Sequence, residues 1–236
     1  WPEDQGGRGW TPVEQYIFTD EVVRAGFPYP FLTTEAIAPV LAEHAHEAIR
    51  DATVGGIQRG EVVIAIGYSE PSAGTDLASL KTRAVKDGDE WVINGQKIWT
   101  TQAHWADMMF CLVRTDNSGI RQEGITFLLI DMEAEGVRVD PIVMLTGEHI
   151  QNAVFFDNVR LPANALLGGE GEGWRQATAE LSLERSGPER YLSSMVLFLE
   201  LVRHAQTEND PALVALVGRL AAEAWTLRLM SASVAA

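Results

Sequence analysis

Cysteine is almost missing from this sequence: one residue, Cys111, in 236. A lone thiol makes no internal disulfide, and no Cys-x-x-Cys or Cys/His spacing suits structural zinc, so the expectation is a reducing, cytoplasmic setting. Positive charge is scarce too. Lys+Arg 18 against Asp+Glu 33 leaves a formal net charge of −15, which repels a phosphate backbone or an anionic membrane and argues against nucleic-acid binding. No apolar run reaches the roughly 20 residues that a membrane span needs, and no basic stretch followed by an apolar one opens the chain. Walker A and strand-turn-helix GxGxxG loops are absent, which removes P-loop nucleotidases and Rossmann NAD enzymes, and no GxSxG elbow supports a hydrolase triad. Of the five histidines, only His44 and His46 stand close in sequence, and on a helix they point to different faces. Trp1 stands where Met would, and residues 231–236 continue a helical pattern with no Gly or Pro stop, so both ends are expected to be cut.

What is present, 46% hydrophobic residues in an ordinary globular mixture, divides into three stretches. Thr11-Pro12-Val13-Glu14 combines an N-cap, a proline at the first helical position and the glutamate of a capping box; Val13, Ile17, Phe18, Val22 and Ala25 then share one face up to a stop at Gly26. A second helix is expected over 34–49. From Glu61 the pattern changes to short β-branched runs at 62–66, 82–85, 91–93, 97–101, 108–114, 125–131, 137–142 and 153–156, with hairpin turns expected at Lys86-Asp87-Gly88-Asp89 and at Asn94-Gly95. After Gly168-Gly-Glu-Gly-Glu-Gly173 the helical period returns over 174–207 and, past Asn209-Asp210-Pro211, over 212–236. The fold class expected is α+β: an N-terminal helical part (1–60), a central antiparallel β domain, barrel- or sandwich-like (61–166), and the long helices of a C-terminal helical part (167–236).

Three stretches carry possible chemistry. Gly67-Tyr-Ser-Glu-Pro-Ser-Ala-Gly-Thr-Asp76 follows an apolar strand and precedes a helix-forming Leu77-Ala-Ser-Leu80. Its small residues and hydroxyls let backbone N–H groups approach a flat polar ligand, with Thr75-Asp76 at a helix start for an anion or carbonyl. The structural alternative is a plain strand-to-helix loop with Thr75 or Asp76 as N-cap. In Asn94-Gly-Gln-Lys-Ile-Trp-Thr-Thr101, Trp99 and Thr101 would share one face of a hairpin strand, an aromatic plane beside a hydroxyl; Trp99 as core filler fits equally. In Leu181-Ser-Leu-Glu-Arg-Ser-Gly-Pro188, Glu184 lies on a largely apolar helix and is either a base or an ion-paired residue, with Arg185 or Arg190 as partner.

In this order and separation the stretches resemble the acyl-CoA dehydrogenase family of flavoproteins. Tyr68 to Asp76 resembles the family's first signature, Asp87 to Thr101 its central hairpin, and Phe155-Phe-Asp-Asn-Val-Arg-Leu-Pro162 the strand leaving the β domain. Trp1-Pro-Glu-Asp-Gln-Gly, Gly173-Trp174 and Leu183-Glu-Arg185 agree as well, while residues 42–59 depart from the family's Gly-x-x-x-Gln-Lys connection. The resemblance extends over nearly the whole chain and is closest to bacterial members acting on bulky, branched or sterol-derived acyl thioesters.

It implies N-terminal helices, a β domain and a C-terminal four-helix bundle that is incomplete here, and FAD as cofactor. By resemblance, Ile66 and Tyr68 offer backbone contacts to the flavin, Ser69 a hydroxyl near its reactive nitrogen, Gly74 room for close approach, and Trp99 and Thr101 a packing surface and a hydrogen bond. Thr75 would face both FAD and the thioester, with Glu184 and Arg185 on the substrate side. The implied reaction is α,β-dehydrogenation of an acyl-CoA to the trans-2-enoyl-CoA, with electrons passed to an electron-transfer flavoprotein in a homo- or hetero-oligomer, a dimer or tetramer. The base is either Glu184 or a residue of the C-terminal bundle beyond this sequence. Two other functions remain open: a non-catalytic or half-site subunit of a heteromeric dehydrogenase, and a flavin monooxygenase or oxidase on the same fold.

Overall fold

A computed structural model describes residues 1–208 and 210–235, together with all their side chains except those of Asp4, Leu183 and Ser186. Asn209, at the expected break between the last helices, and Ala236 lie outside the described residues. The chain forms two compact units, residues 31–181 and residues 1–30 with 182–236.

The first unit is built on an eight-stranded sheet. Its strands are β1 (Ile64–Gly67), β2 (Arg83–Asp87), β3 (Glu90–Lys97), β4 (Met108–Arg114), β5 (Ile125–Asp131), β6 (Val137–Val143), β7 (His149–Pro162) and β8 (Leu166–Leu167). Their order is β6-β7-β3-β2-β4-β5-β8, and β1 pairs with β4; the sheet does not close. Most pairings are antiparallel as expected, but β1 runs parallel to β4, and β2 meets it in parallel at Arg83–Arg114. Alternation along β4 and β5 separates two apolar faces. Met109, Cys111, Val113, Leu128 and Ile130 join Trp91, Ile93, Val154 and Phe156 in one core, while Phe110 and Phe127 stack at 3.9 Å on the other face.

The same unit contains a π-helical turn (Leu32–Ile37), α2 (Ala38–His44) and α3 (Glu47–Gln58). The helix expected over 34–49 is therefore broken: Ala45 is extended, and the His46 ring caps α3 by accepting from the Ala48 N–H at 3.3 Å. Thr33 on the π turn bonds β1 both ways, donating to the Ile64 carbonyl and accepting from its N–H.

A second correction concerns Asn94-Gly95. The Asp87-Gly88 turn forms as expected, with Gly88 at φ 64° and Asp87 opposite Glu90. Asn94-Gly95 instead lies inside the continuous strand β3, at a register shift against β7. Gly95 has φ 151°, and a Cβ there would stand 2.6 Å from Thr82 Cα, so the glycine serves a bulge and a close backbone approach rather than a turn.

In the other unit, α1 (Pro12–Arg24) starts at the expected capping box: the Thr11 hydroxyl accepts from Glu14 N–H at 3.3 Å and Glu14 Oε2 accepts from Thr11 N–H at 2.8 Å. Its expected apolar face is not what it buries. Val13, Ile17 and Phe18 are exposed, while Thr19 and Asp20 are buried. The helical run expected over 174–207 is divided by Gly187-Pro188 into α4 (Gly173–Ser186), α5 (Glu189–Leu192) and α6 (Met195–Glu208), followed by α7 (Pro211–Ala235). No helix is long and apolar enough to cross a membrane among the described residues.

Candidate functional site

Gly67 ends β1 close against the neighbouring strand, where a Cβ would lie 2.5 Å from Met109 Sδ and force that side chain to shift. The chain then turns into the 68–76 loop. The Tyr68 ring packs on the face that holds Phe110 and Phe127, with centroids 6.2 and 5.8 Å away, and its hydroxyl donates to Glu180 on α4 at 2.8 Å. Burial, and next the Glu180 charge, push the Tyr68 phenol well above its usual range, so it stays a donor.

Glu70 is almost fully buried and accepts from the backbone N–H groups of Lys81 (2.6 Å) and Thr82 (2.9 Å) and from Lys97 Nζ (2.8 Å). Burial alone would raise its carboxyl; the Lys97 charge and these hydrogen bonds outweigh it and hold the group below its ordinary value. Glu70 and Ala73 exchange backbone hydrogen bonds, which makes 70–73 a tight turn. Beyond it Gly74 and Thr75 are exposed, and a Cβ at Gly74 would meet nothing within 4 Å, so this edge of the loop is open. The expected helix at 77–80 is a single 3₁₀ turn, Leu77–Ser79, and Asp76 makes no side-chain cap; its carboxylate pairs with Arg121 at 2.7 Å. A helix N-terminus is therefore not available there for an anion.

The segment after β3 lies directly beside this loop. Ile98 N–H donates to the Ser69 carbonyl at 2.9 Å, Thr100 N–H to Asn152 and Gln102 N–H to Ile150, so alternate residues are fastened to different neighbours. Trp99, between the first two anchors, takes φ 59° with 57% of its surface exposed. The shared strand face expected for Trp99 and Thr101 is thus replaced by an irregular strap, and Trp99 is not core filler. A left-handed non-glycine residue costs of order 1 kcal/mol or more and persists where its surroundings over-determine it. Thr101 Oγ1 accepts from Gln151 Nε2 at 3.0 Å.

The strap is backed by a cluster that sequence reading missed. Fully buried Asn152 donates to the Thr100 carbonyl at 3.0 Å and meets the His104 ring at 3.2 Å and His149 Nε2 at 2.7 Å, while the two imidazoles stack at 4.1 Å. Partial burial, and then the neighbouring His149, lower the His104 pKa. Lys97, Glu70 and Glu180 were likewise missed; the first two lie inside the quoted motifs, where only their buried pairing marks them.

The structure thus fastens the Tyr68-Ser69 stretch to the segment that carries Trp99, through Lys97 Nζ to the Tyr68 carbonyl and Ile98 N–H to the Ser69 carbonyl, with Ile66 in β1 before the loop, Thr101 two residues past Trp99 and Thr75 at the open edge. Two features there fit a flat heteroaromatic group such as a flavin: among the described residues nothing hydrogen-bonds the Ser69 hydroxyl, and the Trp99 indole is held out from the protein. Glu184 and Arg185 belong to the other unit. There Glu184 is nearly buried and forms an ion pair with Arg190, whose Nε also donates to the Glu184 carbonyl at 3.2 Å; Arg185 is exposed. Arg190, of the two arginines considered, is the partner. The side chain of Leu183, before Glu184 in the motif, lies outside the described ones. Cys111 is fully buried, its thiol pushed up to about 12 by burial, and no group of three metal-ligating side chains occurs among the described residues.

Residues 65–159 match the family model described as acyl-CoA dehydrogenase, middle domain. The chain is 43% identical over 185 residues to acyl-CoA dehydrogenase FadE29 of Mycobacterium tuberculosis, covering 78% of this chain and 48% of that protein. It is 38% identical over 241 residues to acyl-CoA dehydrogenase IpdE1 of the same organism, covering 98% and 61%. Among solved structures, the Tcur3481-Tcur3483 steroid ACAD superposes with a TM-score of 0.88 at 35% identity, covering 99% of this chain and 63% of that one. The ChsE4-ChsE5 complex from Mycobacterium tuberculosis gives 0.86 at 34% identity, covering 100% and 63%. The chain thus spans about half to three-fifths of the length of these relatives. With the family model, the identities and the superposed fold in agreement, the chain belongs to the acyl-CoA dehydrogenase family.

Proposed function

We propose that the protein carrying this chain catalyses FAD-dependent α,β-dehydrogenation of an acyl-CoA thioester to the trans-2-enoyl-CoA. The observation that supports this most is the junction of the signature loop with the strap after β3, where the Ser69 carbonyl accepts from Ile98 N–H and the next residue, Trp99, is held outward by a left-handed backbone. The chemistry that bound FAD supplies is acceptance of the β hydride. The Ser69 hydroxyl donates a hydrogen bond to the ring system, and Trp99 covers one ring face and excludes water from it. Ile66 and Tyr68 contribute backbone contacts, and Thr101, oriented by Gln151, adds a hydroxyl. Thr75, at the open edge beside Gly74, faces both cofactor and thioester.

Glu184 takes the α proton of the thioester. The Arg190 guanidinium that pairs with this carboxylate must yield it when the substrate enters. Arg185 lies on the substrate side. In this reading residues 61–166 hold the flavin, with helical parts 1–60 and 167–236 on either side in sequence. The acyl group is bulky and sterol-like, in keeping with the neighbour described as a steroid ACAD, and electrons leave to an electron-transfer flavoprotein. The protein works as an oligomer. A second reading, a half-site subunit of a heteromer, is favoured by the ChsE4-ChsE5 neighbour, a complex of two chains.

The test is an absorbance spectrum of the intact protein followed by anaerobic addition of acyl-CoA thioesters. Bleaching of a bound flavin band is expected, largest for bulky acyl groups. A colourless protein that takes up no FAD would replace this reading with the half-site subunit. Glu184→Gln should keep the flavin and lose its reduction by about 10²-fold or more; reduction at the parent rate would remove Glu184 as the base.

A further inference from the structure

Lys97 ends β3 with its side chain fully buried. An ammonium in that position persists only when paired, and Lys97 Nζ donates both to Glu70 Oε1 at 2.8 Å and to the Tyr68 carbonyl at 3.2 Å. Glu70 is itself only 6% exposed, and its two oxygens also hold the N–H groups of Lys81 and Thr82. One ion pair therefore ties together the start of the signature loop, the Lys81-Thr82 segment that leads into β2, and the end of β3.

Stability gives little reason for such a pair, because apolar side chains of similar volume in its place are often neutral or better. An apolar pair cannot decide which backbone groups of a loop turn inward. Here the Tyr68 carbonyl is drawn to Lys97 and the Ser69 carbonyl to Ile98 N–H, which takes both oxygens of that stretch to the protein side and leaves the Ser69 hydroxyl unpartnered. Ser69 precedes Glu70 by one residue and Trp99 follows Lys97 by two, so the pair bridges the two segments right behind these side chains.

We propose that the buried Glu70–Lys97 ion pair is a positioning device for the flavin: it holds the Tyr68-Ser69 peptide and the left-handed Trp99 in register, so that the Ser69 hydroxyl and the Trp99 indole are presented together. This rests on the flavin reading above. Neither residue touches the flavin; both act through the two segments they join.

The experiment compares the intact parent protein with Lys97→Met and with the double variant Glu70→Leu/Lys97→Met. Thermal midpoints, FAD dissociation constants from flavin fluorescence, and amide exchange of residues 68–70 and 98–100 without FAD are measured. Lys97→Met strands the Glu70 charge and lowers the midpoint. The double variant is expected to recover the midpoint, yet to bind FAD about tenfold more weakly and to exchange the Ile98 amide about tenfold faster. A double variant that binds FAD within about twofold of the parent with unchanged exchange overturns the proposal, leaving a purely structural pair. Glu70→Gln keeps the shape without the charge and gives the same reading if the double variant does not fold: weaker FAD binding supports the device and parent-like binding overturns it. A parent that takes up no FAD overturns the flavin reading itself, which is a different result from a parent and double variant that bind it equally.

Discussion

In β4 and β5, residues 109–114 and 125–130 are buried without a gap, whereas α7, with 25 residues and an apolar composition, has no buried residue. Trp225, Leu229 and Val234 on that helix are all more than half exposed. The two regions differ in how burial is obtained. A strand is laid against its neighbours by the hydrogen-bond ladder, so its alternating side chains meet a partner as soon as the register is set. A helix satisfies its own backbone, and its apolar stripe is buried only where another surface comes to it.

The helical unit carries a buried polar network. Asp20, 1% exposed, accepts from the Tyr191 hydroxyl at 2.8 Å and from Arg228 Nη2 at 2.7 Å, and Tyr16 joins Tyr191 to the Arg228 carbonyl. Burial, together with the hydrogen bonds of Tyr16 and Asp20, raises the Tyr191 pKa, so the phenol remains protonated across the physiological range.

The contrast can be broken by mutation. Phe110→Ala, in the stacked pair on the sheet, is expected to lose about 3–5 kcal/mol in denaturant unfolding, against about 0.5 kcal/mol or less for Trp225→Ala. Similar losses at the two sites would end the distinction. Asp20→Ala leaves Tyr191 and Arg228 without their acceptor and should lose about 2–3 kcal/mol. An Asp20→Ala protein as stable as its parent would show that this network is incidental.

A smaller effect depends on pH. The Glu70 carboxyl is held low in the folded protein, so its contribution is present above the ordinary carboxylate pKa and is lost as pH falls through the lowered folded value. Acid titration of the thermal midpoint should show this loss, and Glu70→Gln should flatten it; an unchanged acid limb would place the acid-sensitive group elsewhere. A small change is also expected at α1, where Thr11→Ala removes one half of the capping box and should lower stability by about 0.5–1 kcal/mol in thermal unfolding.

By itself the sequence determined what depends on near neighbours. Thr11 and Glu14 made the start of α1 readable, Asp87-Gly88 the first hairpin, and the apolar alternation the strands, because caps, turns and periods are set within a few residues. The signature loop and the Asn94–Thr101 segment were readable as a candidate site for the same reason. Only the tertiary structure decided that Gly95 is a bulge pressed against Thr82, that Trp99 is left-handed and outward, and that the face Val13, Ile17 and Phe18 share stays exposed. It alone paired Tyr68 with Glu180 and Asn152 with His104 and His149, and it chose Arg190 for Glu184. Tyr68 and Glu180 stand 112 residues apart, so no period or spacing links them. Their meeting follows from strand register and helix placement, which set where a buried polar group must find its partner.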